Sequence, residues 1–146
     1  MKICTSGGIT PSPNGVGSEK LAKSALNAER LVPSKHFTTT KEAINFLKTH
    51  YSDFTLIGLE TTEHSQTYTQ YQFPGSIDEE LPQKGSCLVL GNEVTGVDTE
   101  VMPLLDVIVE IPMFGQKNSL NIAACAPVVM YECLRQWGAM GKVNIN

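Results

Sequence analysis

The sequence predicts a single α/β domain spanning residues 1–146, built on a mostly parallel sheet flanked by helices. Three observations carry that prediction. Short apolar runs alternate with helical patterns along the whole chain, the runs lack the strict in-out alternation of a half-exposed strand, and glycine-bearing polar loops follow them. A chain of 146 residues falls within the usual range for one domain, about 100 to 200 residues, and is long enough to bury one core.

Taken in order, MKIC (1–4) is a short strand, and the Gly/Pro-rich loop GGITPSPNGVG leads to a helix, SEKLAKSALNAERLV, that opens at Ser18. TTTKEAINFLKTHY follows as a second helix. Thr39 stands three residues before Glu42, as in a capping box, and Ile44, Leu47 and Tyr51 recur on one face. FTLIGLE (54–60), SCLVLG (86–91) and VIVEIP (107–112) are strands covered on both faces. Between the last two, DTEVMPLL forms a short helix capped by Asp98, and SLNIAACAPVVMYECLRQW is the closing helix, capped by Ser119 or, two residues on, by Asn121. Pro127 inside it is expected to kink the turn around Ala123, because proline lacks the N–H that would bond there.

Composition narrows the function. The chain is 41% hydrophobic and 18% charged, as in ordinary globular proteins, and no apolar run approaches the roughly 20 residues of a membrane span. Glycine and proline interrupt the N-terminus too early for a signal peptide. Cys4, Cys87, Cys125 and Cys133 are therefore expected to stay reduced in the cytoplasm, as small hydrophobes. They lack C-x-x-C spacing, and His36, His50 and His64 lie in separate segments, so no metal site is expected. A formal net charge of -4 argues against indiscriminate nucleic-acid binding while leaving room for a local basic patch. Lys20, Lys23, Arg30 and Lys35 are candidates for such a patch, or else a solvated face.

In open α/β sheets, ligands sit beyond the carboxyl ends of the strands. The loops there are GLETTEHS, GNEVTGVD and PMFGQKNS, in which Gly91, Gly96 and Gly115 either admit a ligand's close approach or simply close turns. Neither GNEVTG nor GGITPSPNG fits the nucleotide patterns G-x-x-x-x-G-K-[ST] or G-x-G-x-x-G, and Ser119 is not in a G-x-S-x-G elbow.

LVLGNEVTGV (88–97), followed by VEIPMFGQKNSLNIAACAPVVMYECLRQW (109–137), resembles the paired C-terminal motifs of the SpoU/TrmH family of RNA 2'-O-ribose methyltransferases in the SPOUT superfamily. GITPSPNGVGSEKLAKSALNAERLVP (8–33) resembles an upstream family segment. The resemblance implies a C-terminal trefoil knot, an exception to the rule that chains do not knot. It implies S-adenosyl-L-methionine bound in that knot by Leu59, Gly91, Ile111, Ser119 and Leu120. Glu93 would hold the second motif, and Ser119 and Asn121 would order the third. The implied reaction is methyl transfer to a ribose 2'-hydroxyl of tRNA or rRNA. The implied assembly is a homodimer through the closing helix, with Val128, Val129, Tyr131 and Trp137 available for packing. The resemblance also implies that the chain begins at the family's second strand, without the Asn-x-Gly and Arg of its first motif, and Arg30 lies in a different segment. A relative that keeps the knot and binds cofactor or RNA without chemistry is the alternative expectation.

Overall fold

The computed structural model describes residues 3–6, 34–51, 53–77, 84–92, 94–116 and 120–141. They fall into two compact units, Met1–Ser52 and Asp53–Asn146. The Gly/Pro-rich loop, the helix expected from Ser18, and Lys20, Lys23 and Arg30 lie outside the described residues.

In the first unit, β1 (Ile3–Ser6) pairs in parallel with β2 (Ser34–Phe37), a strand that the sequence reading missed. SKHF carries three polar residues in four and has no apolar run to announce it. Helix α1 (Thr40–His50) begins at the expected cap, where Thr39 Oγ1 accepts from Glu42 N at 3.2 Å. Glu42 completes the box one residue further back than the motif predicts, accepting from Thr38 N at 3.1 Å. The buried face is Ala43 and Ile44 rather than the expected stripe to Tyr51, because Tyr51 has left the helix as its C-cap, with φ -133°. Phe46 stacks on His50, and Lys35 Nζ lies 3.7 Å from the Phe46 ring centroid.

The second unit holds a four-stranded parallel sheet in the order β4-β6-β3-β5, formed by β3 (Phe54–Leu59), β4 (Gln66–Thr67), β5 (Gly85–Leu90) and β6 (Val107–Glu110). β3, β5 and β6 are the three expected strands, but full cover on both faces is met only in β3, since β5 and β6 bury Val89 and Val109 alone. In β3, Thr55 through Leu59 are all buried, which explains the missing alternation: a strand covered on both faces has no wet side to mark. Asp106 sets the register of β6 by exchanging two bonds with one residue of β3. Its N donates to Leu56 O at 2.9 Å and its Oδ2 accepts from Leu56 N at 2.8 Å. The two-residue β4 is too short for any sequence pattern to reveal.

The helix expected over 98–105 is only a 3-10 turn, Met102–Leu104. Asp98 organises the preceding turn instead of capping a helix. Its carbonyl accepts from Val101 N at 2.8 Å and Met102 N at 3.1 Å, its Oδ1 accepts from Glu100 N at 3.0 Å, and Pro103 contributes no donor that could extend an α-helical ladder.

Helix α2 (Ile122–Gln136) closes the unit and keeps its helical conformation across Pro127, whose ring is exposed. Its cap is Asn121, with Oδ1 accepting from Ala123 N at 2.8 Å, and not Ser119. The shorter of the two expected helices formed because an asparagine adjacent to the first turn satisfies its free N–H directly. Ile57, Leu59, Phe73, Val109, Val129 and Cys133 make the core, with Trp137 packed against it. Val129 is fully buried and Trp137 Nε1 donates to Phe73 O at 3.0 Å. These two of the four residues expected at a dimer contact therefore face their own unit, whereas Val128 and Tyr131 are exposed. No helix among the described residues is long and apolar enough to cross a membrane.

Candidate functional site

A pocket of about 360 Å³ opens at the carboxyl ends of β3, β5 and β6, within the usual size of small-molecule sites, roughly 300 to 1,000 Å³. Leu59, Gly91, Ile111 and Leu120, drawn from three loops far apart in sequence, all line it. Glu93 and Ser119 lie outside the described residues. Asn121 is not in the lining; it caps α2 immediately before Ile122, which is.

Local chemistry explains how each loop is held. After β5, Asn92 and Gly96 exchange backbone bonds of 2.9 and 2.8 Å, and Asn92 Oδ1 accepts from Val94 N at 2.7 Å, closing GNEVTG into a tight turn. Gly96 has φ +70°, a conformation that favours glycine. A side chain on Gly91 would run into the backbone of Gly96 and Val97, so neither glycine can be replaced without opening the turn.

Glu60 was not among the expected site residues, yet it ties two of the loops together. Its Oε2 accepts from Val97 N at 3.0 Å and its Oε1 from Thr61 N at 3.2 Å, while its own N donates to Val109 O at 3.1 Å on β6. A carboxylate gathering backbone N–H groups is a strong, charge-assisted arrangement. The signal that marks it in sequence is slight: an acidic residue directly after a buried strand.

A second carboxylate, Glu110, lines the same pocket, and its Oε2 accepts from Ser65 Oγ at 2.8 Å. Met113 adds apolar wall, as does Cys125, whose thiol is pushed above its ordinary pKa by burial. The result is a cleft of mixed polar and apolar lining with two acidic acceptors, which suits a ligand that combines apolar surface with positive charge and disfavours phosphates.

A parallel α/β sheet with a ligand cleft beyond its strand ends defines the general class. The family model described as the SpoU rRNA Methylase family matches residues 5–131, and the chain belongs to that family. It is 32% identical over 113 residues to the mouse "tRNA (guanosine(18)-2'-O)-methyltransferase TARBP1", covering 77% of this chain and 6% of that protein. It is 40% identical over 53 residues to the Aquifex aeolicus "tRNA (guanosine(18)-2'-O)-methyltransferase", covering 36% of this chain and 25% of that protein. The chain thus spans a quarter or less of these relatives. Its fold is similar to that of the SpoU methyltransferase AviRb from Streptomyces viridochromogenes, solved in complex with AdoMet, with a TM-score of 0.74 at 22% identity over 92% of this chain and 47% of that one.

Proposed function

We propose that the chain is the methyltransferase domain of an S-adenosylmethionine-dependent enzyme that methylates a ribose 2'-hydroxyl of tRNA or rRNA. One observation carries the reading: Leu59, Gly91, Ile111 and Leu120 converge on a single pocket from three separate loops. The names of the relatives and the family match across residues 5–131, which spans both units, support it.

The residues present fit that cofactor. Gly91 packs directly on the backbone of Gly96 and Val97, so main chain without side chains forms that edge of the pocket, while Leu59, Ile111 and Leu120 supply apolar wall for an adenine. Glu60 and Glu110 favour a cation in the cleft. When bound, S-adenosylmethionine supplies an electrophilic methyl on a sulfonium. The protein's share is orientation and exclusion of water. Glu60 fixes the spacing of the first two loops, and Asn121 fixes the start of α2 beside the third. Glu93 and Ser119 are assigned to the second and third motifs by resemblance.

The reading includes a trefoil knot in which the segment after β6 threads the preceding loop, supported by the family match. It also includes a cytoplasmic homodimer through α2, for which exposed Val128 and Tyr131 are the available contacts.

The test is transfer of labelled methyl from S-adenosylmethionine to bulk tRNA and rRNA, with cofactor binding followed by calorimetry. Labelled RNA resistant to alkaline cleavage at the modified nucleotide is expected. Binding without transfer would favour the catalytically inactive relative. No binding to folded protein would remove the cofactor pocket from either reading.

A further inference from the structure

We propose that Phe114 is a stacking platform for a base of the RNA strand, beside the nucleotide whose ribose is methylated; this rests on the methyltransferase reading above. Phe114 is 99% exposed, the most exposed large apolar side chain among the described residues. It stands one residue beyond Met113, which lines the pocket. Val94, 90% exposed, and Leu120, 46% exposed, are also in the lining, whereas Phe114 stands just outside it and is aromatic. Where a side chain on the next residue, Gly115, would begin, no atom of any residue beyond its two chain neighbours lies within 4 Å.

A pocket that presents a methyl outward must meet the acceptor strand at its mouth, and the first side chains outside the lining meet that strand too. Single-stranded RNA is held by stacking unstacked bases on exposed aromatic faces, a contact indifferent to base identity because every base has a π-face. With a formal net charge of -4, the chain gains little from general attraction to phosphates, which leaves more of the binding to contacts of this kind. A second copy of the chain is the less favoured occupant, since interface cores are contiguous packed patches and one ring standing clear of its neighbours is not such a patch.

The test compares Phe114→Ala, Phe114→Leu and Phe114→Tyr in the full chain. Methyl transfer to tRNA and rRNA gives KM for RNA, anisotropy of labelled single-stranded RNA gives affinity, calorimetry gives the Kd of S-adenosylmethionine, and sedimentation gives the assembly state. Loss of one stacked base corresponds to roughly a 5- to 150-fold weakening. The expected result is a rise of that order in KM for RNA with Ala and Leu, near-normal values with Tyr, and an unchanged cofactor Kd. Wild-type RNA values in Ala or Leu would overturn the platform alone, and if the variants also lost self-association the ring would belong to a second copy. RNA affinity that depends on Phe114 without any methyl transfer would keep the platform and end the enzyme reading. Failure of folded wild-type protein to bind RNA would end both.

Discussion

The two ends of helix α2 meet the rest of their unit in different ways. At the C-terminal end, Gln136 behaves like a strand neighbour: its Oε1 accepts from Phe73 N at 2.8 Å and its Nε2 donates to Tyr71 O at 2.9 Å. Trp137 lies against Gly75, where a side chain would penetrate the indole, and donates to Phe73 O. Glu132 accepts from Arg135 Nε at 2.7 Å and from Gln136 Nε2 at 2.8 Å, holding that donor in place. At the N-terminal end a single cap bond from Ala123 N to Asn121 precedes Ile122 and Cys125, which face the pocket, with Leu120 half exposed beside them. One end is filled and stitched; the other is left open. The anchorage that a cleft cannot provide for itself is supplied three turns away along the same rigid helix.

The comparison breaks most severely at Trp137. Trp137→Ala removes a large half-buried side chain and its hydrogen bond, with an expected cost of about 3 kcal/mol in urea unfolding. The folded remainder should bind S-adenosylmethionine as before; a matching loss of affinity would show that the two ends are not separable. Gly91→Ala tests the open end. The added carbon meets backbone rather than a yielding side chain, so a destabilisation of about 1 to 3 kcal/mol should accompany a loss of cofactor affinity, read by calorimetry, of about tenfold or more.

The smallest effect concerns pH. The Glu132 carboxyl is held at about 2, against an ordinary 4.5, chiefly by its hydrogen bond from Arg135 and then by that from Gln136, with burial opposing. A carboxylate depressed by folding contributes stability that is complete above about 4.5 and lost as pH falls towards 2. Arg135 is 62% exposed, so solvent screens the pair, and the contribution is expected to stay under about 1 kcal/mol. Stability measured across that window should fall in the wild type and flatten in Glu132→Gln. An unchanged slope in the variant would assign the acid sensitivity to other groups.

Much of this architecture was legible in the residues. FTLIGLE, SCLVLG and VIVEIP declared strands by composition, although of the three only β3 is buried along nearly its whole length, Thr39 with Glu42 declared a helix start, and the glycines of GNEVTG offered a tight turn as one of two readings. All of these are local signals, carried by neighbours within one turn or one strand. β2 and β4 were missed because their residues lack apolar character and are strands only by pairing. Ser119 and Asn121 offered the same capping chemistry two positions apart, and the strings of residues do not say where the first turn begins.

The sequence by itself determined the class of fold, the three loops that follow its strands, and the family, because those rest on short-range pattern and motif order. Only the tertiary structure decided that Glu60 would bridge to Val97, that Val129 and Trp137 would turn inward while Tyr131 faced solvent, and that Phe114 would stand uncovered beside the pocket. Periodicity records how strongly a side chain avoids water. It does not record which distant backbone group or open cleft that side chain will meet, since this depends on how β3, β5, β6 and α2 come together.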